Sequence, residues 1–438
     1  DPHCSHAPGA TLSQPGVKVK CTKNHMYEMF RDQFRPYEFF GCNFKSSYEG
    51  TLFRFPFRDA SMAQASEISR RAYTTADATK NLEQLGQHLS DYLLFLRSVR
   101  NIEIYTLRRG ETAPTLMYRA EANILGKECQ HDQTILDTIN GHDEKSASRD
   151  HFYQSLQSIN ESELPRVSHR LGIQATTYNK INNGGQQKFL ENSEFLVVSG
   201  LSGGEARSLA CANSSRHLKL IPFGSVAACL STSKEGAPEI ADNEIICVPP
   251  LVGHAFCFLP LPVSTKLPIH VNAYWELSSN RRDIWQGDDT QGDAKLRSDW
   301  NTQIMKDILA PLYAYLLRQL VEKSTVGEGV LGGPVLSRHE IMKLFPCQSS
   351  NEPWESLAKS TFESIRTMKV FWSLRNNGQA VSLDDAVFIE SLEGHQNDVS
   401  DAKEKPLQML ESILLAENLN VSRIPSPLIV TLNKLGIG

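Results

Sequence analysis

Between residues 253 and 301 the chain follows an order that leaves few folds open. Gly253-His254-Ala255-Phe256-Cys257-Phe258-Leu259-Pro260-Leu261-Pro262 is a short apolar run punctuated by proline. Leu267-Pro268-Ile269-His270-Val271-Asn272-Ala273-Tyr274-Trp275-Glu276 is a second. Proline has no N–H for a sheet ladder, so it marks strand ends, bulges and edges. The two runs predict strands near 254–259 and 268–277 that feed the polar loop Ser278-Ser279-Asn280-Arg281-Arg282-Asp283-Ile284-Trp285. A helix over about 298–322 follows, with Trp300, Ile304, Ile308, Leu312, Tyr315 and Leu316 on its buried side and Pro311 as a kink or junction. Strands leading through a charged loop into an amphipathic helix suit a mixed α/β (α+β) architecture.

The rest of the chain reads the same way. Met26, Phe30 and Phe34 suit a short helix over 24–34 that ends before Pro36. Phe53, Phe55 and Phe57 alternate with Arg54 and Arg58, which predicts a half-buried strand over 51–58 with Pro56 at an edge or bulge. Leu82, Leu85, Leu89, Leu93 and Leu96 form the stripe of a long helix over 75–97. Further strands are expected at 101–107, 115–122, 194–199 and 223–230, and a helix near 150–160. Residues 326–334 read as a Gly-rich linker, followed by helices at 337–345, 353–374 and 404–417. A strand at 386–391 precedes the acidic stretch 392–404, read as an exposed loop.

Composition narrows the function. At roughly 100–200 residues per domain, 438 residues predict two to four domains. Lys+Arg total 45 against 50 Asp+Glu, a net charge of −5, so the electrostatic footprint of a nucleic-acid binder is missing. No apolar run approaches the roughly 18–20 residues that span a bilayer. The nine cysteines are odd in number and include no C-x-x-C, which suits reduced thiols acting as small hydrophobes in the cytoplasm or nucleus. Residue 1 is Asp, with no basic or apolar leader after it, so the sequence reads as a piece of a longer polypeptide.

Few motifs carry chemistry. Leu201-Ser202-Gly203-Gly204-Glu205 resembles the signature motif of ABC ATPases, but the phosphate-binding G-x-x-x-x-G-K-[ST] run that must accompany it is absent, which leaves a strand-to-helix turn. His3 and His6 are too isolated for a metal pair, and Asp288-Asp289 with Asp293 suits a solvated loop, so no metal site is expected. No G-x-S-x-G nucleophile elbow occurs. Arg281-Arg282 suits carboxylate or phosphate recognition, with a loop pinned by Arg–Asp pairs as the structural alternative.

Several blocks resemble the sacsin repeat family. They include F-x-F-L-P-L-P from Phe256, P-I-H-V-N-A-Y-W-E from Pro268 and S-S-N-R-R-D-I-W from Ser278. Gly50-Thr51-Leu52-Phe53-Arg54-Phe55-Pro56 is similar to the last ATPase strand of that family. Asp1-Pro2-His3, Pro8-Gly9 and Phe39-Phe40-Gly41 resemble its lid-side region. Leu196-Val197-Val198 with Gly203-Gly204, and Pro222 to Ala228, are also similar. The likeness runs from residue 1 to about 320.

The resemblance implies a protein built like the heat-shock-90 chaperones, in the GHKL superfamily with gyrase B, histidine kinases and MutL. Residues 1–110 would be the tail of a GHKL-type ATPase α/β sandwich, 111–325 a mixed α/β middle (transducer-like) domain, and 326–438 an α-rich C-terminal extension. Gly50 and Thr51 would lie at the ATP pocket, and Arg281 or Arg282 would reach the γ-phosphate as a catalytic arginine. The half of the ATP site that carries the catalytic Glu and the adenine-reading Asp is absent from this sequence, so ATP, bound with Mg in the intact parent, is not expected to bind tightly to this chain alone. ATP hydrolysis is expected in the intact parent or nowhere. The implied role is client binding or remodelling, with client proteins and other chaperones such as the heat-shock-70 system as partners, and with neither nucleic acid nor membrane. A non-catalytic interaction scaffold on a degenerate ATPase fold is the alternative, and a MutL- or gyrase-like DNA-handling ATPase is disfavoured by charge.

Overall fold

A computed structural model describes residues 28–29, 31–38, 40–55, 57–67, 69–108, 110–131, 135–136, 149–180, 186–235, 245–249, 251–287, 291–347, 352–375, 378–391 and 401–437. His3, His6, Cys4, Cys21, Asp288 and Asp289 lie outside them. The chain forms two compact units, Asp1–His88 with Glu103–Arg119, and Leu89–Ile102 with Ala120–Gly438.

In the first unit, α1 (Arg31–Glu38) keeps Pro36 inside it, contrary to the expectation that the helix would end before that residue. Asp59 caps α2 (Ala60–Ala65) by accepting the Met62 N–H at 2.9 Å. At the start of α3 (Thr75–Gln87), Thr74 and Asp77 exchange side-chain-to-backbone bonds of 3.1 and 2.9 Å, a reciprocal cap that fixes where the helix begins. The long helix expected over 75–97 does not form. His88 leaves helical geometry, and a short α4 (Leu89–Leu93) belongs to the second unit. The leucine stripe is thus divided: α3 buries none of its residues, whereas Leu89 and Leu93 are fully buried.

Among its described residues, the strand expected over 51–58 does not form either. Phe53, Phe55 and Phe57 are exposed, and the Phe53 and Phe55 rings stack on each other at 6.1 Å. A strand needs a neighbour for its backbone groups, and none pairs with this stretch among the described residues. Phe57 stacks instead on Tyr73 at 4.4 Å.

The second unit is built on one mixed sheet. β1 (Asn101–Thr106, of which Glu103 onward belongs to the first unit) and β2 (Thr115–Gln130, of which Ala120 onward belongs to the second) are followed by α5 (Arg149–Ser158), β3 (Arg166–Lys180), β4 (Gln186–Leu201), α6 (Gly204–Cys211), β5 (Phe223–Glu235), β6 (Ile245–Cys247), β7 (His254–Cys257), β8 (Leu259–Ser264) and β9 (His270–Ala273). From the part of β2 beyond Arg119, strand order is β2-β3-β4-β5-β9-β7-β8, with β6 also on β5. β3, β4, β5 and β9 are antiparallel in sequence, and β7 runs parallel to β9.

Strand alternation gives this sheet two different faces. Leu196, Val198, Val226, Ala228, Val271 and Ala273 point to one face and join the core with Ile308, Leu309 and Leu312. Ile308 and Leu309 come from a π-helical segment (Ile304–Leu309) between α7 (Gly292–Gln303) and α8 (Ala310–Thr325), and Leu312 comes from α8. Gly200 and Gly224 are register partners on this face, and a Cβ there would lie 3.3 Å from Leu312 and 2.8 Å from Ile308, so their smallness lets the helix approach the sheet.

Residues beyond Thr325 pack into the same core. α9 (Arg338–Met342) and α10 (Trp354–Ile365) precede the short antiparallel pair β10 (Phe371–Trp372) and β11 (Ala380–Val381). β12 (Ala386–Ser391) and β13 (Asn420–Pro425) pair in parallel and are joined by α11 (Asp401–Ala416), and α12 (Ser426–Leu435) closes the chain. The Tyr313 hydroxyl donates to the Leu344 carbonyl at 2.5 Å, and Trp275 meets Trp354 edge-on at 6.2 Å. The expected helix at 353–374 stops at Ile365 because Phe371 and Trp372 enter a ladder.

Candidate functional site

The other sheet face carries a polar row. Register places Val167 opposite Ser199, Ser199 opposite Ser225, and Ser225 opposite Asn272. Two residues along, His169 faces Val197, and Ala227 faces His270. Val197 and Ala227 are buried yet stand outside the main core, as side chains on the opposite face must. The segment Leu94–Arg100 lies over this row and encloses a cavity of about 250 Å³. Phe95 anchors it, packing edge-on against Phe256 at 4.9 Å.

Cations surround the cavity. Arg97 and Arg100 come from the segment after α4, and Lys127 from β2, while none of the described lining residues is acidic. The Arg97 guanidinium sits 4.7 Å from the Phe258 ring centre and 4.8 Å from that of Phe223, which holds its charge by cation–π attraction. Burial lowers its pKa, and Tyr274 opposes the shift. Arg100 and Lys127 are exposed at the mouth. Burial first, then the Arg100 and Lys127 charges, hold the His169 imidazole down to about 4, so it is neutral near pH 7.

The floor offers hydrogen-bond donors. Ser199 donates to the Ser225 hydroxyl at 2.9 Å, which leaves the Ser225 O–H to donate elsewhere. The Phe258 N–H occupies the Asn272 side-chain oxygen at 2.7 Å, so the group Asn272 can offer the cavity is its NH₂. His270 lies beyond, accepting the His254 N–H on Nδ1 at 3.2 Å, and burial depresses its pKa to about 3.

The residues singled out from sequence stand elsewhere. Gly50, at φ 128°, and Thr51 lie in exposed coil of the first unit, with the Tyr48 ring beside Gly50. Arg281 and Arg282 are exposed on a hairpin of the second unit closed by the Leu277–Ile284 bridge. That hairpin is held from below. Asn301 accepts the Glu276 N–H at 2.9 Å and donates to the Glu276 and Trp285 carbonyls at 2.8 Å each, and Arg297 pairs with Glu276 at 2.5 Å. Asn280 accepts the Arg282 backbone N–H, and neither Arg281 nor Arg282 forms an ion pair among the described residues.

The Leu201–Glu205 motif is a strand-to-helix turn, with Gly204 at φ 63°. Its helix start is occupied internally, since the Asp307 carboxylate accepts the Ala206 N–H at 2.9 Å. The seven described cysteines are free thiols, and burial pushes Cys229 and Cys347 up to about 12. Asp293 pairs with His217 at 3.1 Å, and no group of three His, Cys, Asp or Glu gathers as a metal site among the described residues. Among those residues no helix is long and apolar enough to cross a membrane.

Residues 1–119 match the family model of the Sacsin domain. Human Sacsin is 28% identical over 357 residues, covering 72% of this chain. The chain spans about 7% of the length of that relative. No solved structure matches the chain. The chain is thus sacsin-like in sequence well past the matched domain, on a mixed α/β architecture.

Proposed function

We propose that this chain is part of a chaperone-type protein that binds or remodels client proteins, driven by an ATP site that sequence outside this chain completes. The observation that carries the reading is the extent of the likeness to Sacsin, 72% of the chain and not the matched domain alone. In this reading Thr51 contributes a hydroxyl at the nucleotide pocket, and Arg281 or Arg282 stabilises charge on the transferring phosphoryl group. Two properties of the arginines support that role: both are exposed, and their hairpin is fixed by Asn301 rather than by their own guanidinium groups. Client proteins, and other chaperones such as the heat-shock-70 system, are the partners, with the cytoplasm as compartment.

The test uses the intact parent protein, with ATP turnover and the light scattering of a heat-unfolded client enzyme as readouts. Arg281→Ala or Arg282→Ala is expected to lower turnover while leaving nucleotide binding nearly unchanged. Unchanged turnover in both variants rejects the arginine assignment, and client protection without nucleotide rejects ATP coupling. A second reading, an interaction scaffold without catalysis, draws on the exposed Phe53, Phe55 and Phe57, since clustered exposed aromatics mark contact surfaces. Client binding that survives with no measurable turnover favours it.

A further inference from the structure

The cavity beneath Leu94–Arg100 plays no part in the nucleotide reading, and its hydrogen-bonding capacity stands independently of it. The groups on its floor with capacity to spare are neutral. Asn272 is 1% exposed, its side-chain oxygen takes the Phe258 N–H, and its NH₂ has no partner among the described residues. Ser225 is 3% exposed and accepts the Ser199 O–H, so its own O–H remains to donate. The two residues are register partners on β5 and β9, which sets their donors side by side at the cavity. His169 stands in the next row of the same face, and neither of its ring nitrogens is hydrogen-bonded among the described residues. A donor withdrawn from bulk water without an acceptor is unfavourable, so an acceptor that reaches several at once is held. Leu94, Leu136, Val197, Phe223 and Phe258 make much of the remaining lining apolar. A few converging polar groups in an apolar wall are the usual make-up of a small-molecule site.

We infer that this cavity binds a small uncharged aromatic amide, with its carbonyl oxygen between the Ser225 hydroxyl and the Asn272 NH₂ and its ring against the apolar wall. A carbonyl oxygen has two lone pairs, one for each floor donor. Size sets the scale of the ligand. An apolar cavity of about 150 Å³ takes benzene, so about 250 Å³ leaves room for a ring and its carboxamide, while falling below the ~300–1,000 Å³ typical of sites for drug-sized molecules. The Phe223 and Phe258 rings favour an aromatic partner, through edge-on or offset contact. His169, neutral near pH 7, offers one nitrogen that donates and one that accepts to a polar group elsewhere on the ligand. The charges of Arg97, Arg100 and Lys127 play no part in this selection.

The experiment titrates the 438-residue chain with benzamide. Ligand-observed NMR reads affinity, and a chain labelled on its asparagine side chains reads location through the Asn272 NH₂ signal. Saturable binding at one site per chain is expected, with that signal shifting as the site fills. Ser225→Ala should weaken binding about fivefold, the value of one neutral hydrogen bond. Asn272→Asp keeps an acceptor for the Phe258 N–H but turns the donor into a second acceptor, so binding should fall roughly tenfold or more. Circular dichroism checks both folds; if Asn272→Asp does not fold, Ser225→Ala and the ligand series decide. Toluene keeps the ring without the carbonyl, and acetamide keeps the amide without the ring. Each should bind at least about tenfold more weakly than benzamide. Absence of saturable binding overturns the site, as does an affinity that Ser225→Ala leaves unchanged. Toluene binding as tightly as benzamide would reduce the cavity to an apolar hole, and benzoate binding more tightly would show that charge selects the ligand; either result rejects the proposal.

Discussion

At the scale of single residues, Asn301 shows how one buried amide can organise a loop. It is 2% exposed and makes three hydrogen bonds to the backbone of Glu276 and Trp285, on both sides of the Arg281–Arg282 hairpin. Asn301→Ala removes all three and takes the side-chain partner from the part-buried Glu276 N–H and Trp285 carbonyl, so a loss on the order of 2 kcal/mol is expected in chemical denaturation. His270 makes a different prediction. Its folded pKa, about 3, lies below the roughly 6.5 of an unfolded histidine, so the unfolded chain binds the extra proton. This contribution to stability is intact above about pH 6.5 and declines as pH falls toward 3. By pH 4 the decline is on the order of 3 kcal/mol. The groups packed on this ring are His254, Phe195 and Phe256. His270→Asn keeps an acceptor for the His254 N–H and should flatten the acid limb of a stability-against-pH curve. An unchanged limb would place the acid sensitivity elsewhere.

At the scale of elements, the π-helical segment between α7 and α8 has an identifiable chemical basis. Pro311 has no N–H, so the Asp307 carbonyl loses its usual helical donor four residues on. The Ser202 hydroxyl donates to that carbonyl instead, while the Ala310 N–H reaches back to Met305, five residues away. The β4–α6 turn therefore closes on the kink through both the carbonyl and the carboxylate of Asp307. Ser202→Ala should cost about 1–2 kcal/mol in wild-type background and less with Pro311→Ala, where residue 311 can donate again. A double-mutant cycle with no coupling would show that the two features are independent. Pro311 was readable in the sequence as a kink, but the hydroxyl that compensates it was not. Ser202 and Asp307 are 105 residues apart, and nothing in their spacing pairs them.

At the scale of the whole molecule, the residues after Thr325 bear on how the second unit folds. Phe345, Phe362 and Phe371 are fully buried in the same cluster as Trp300 and Tyr313. Each buried aromatic contributes on the order of 2–3 kcal/mol relative to exposure. Ending the chain after Thr325 uncovers α8, which buries ten of its sixteen residues. The truncated chain should lose near-ultraviolet circular dichroism and self-associate in size-exclusion chromatography. A monomer with a sharp thermal transition would show that residues 326–438 form a separate folding unit.

Local periodicity by itself determined the elements whose side chains decide their own environment. The strand at 386–391, the helix near 150–160 and the strands around 223–230 and 254–259 appear where their apolar patterns place them. Tertiary structure decided the rest. Phe53, Phe55 and Phe57 have a strand's alternation, but a strand exists only where a neighbour takes its hydrogen bonds. The leucine stripe of 75–97 is helical in period, yet it divides at His88 because its two halves belong to different packing units. β3 was missed although Val167, His169, Leu171 and Ile173 alternate, because the polar and charged residues between them mask a strand inside a sheet. The basic cavity was the least legible. Arg97 reads as the end of a helix, and Ser225 and Asn272 as stray polar residues in apolar runs. Only register across β3, β4, β5 and β9 sets His169, Ser199, Ser225 and Asn272 on one face, since a β-strand fixes which side a residue faces but never which residue will lie opposite.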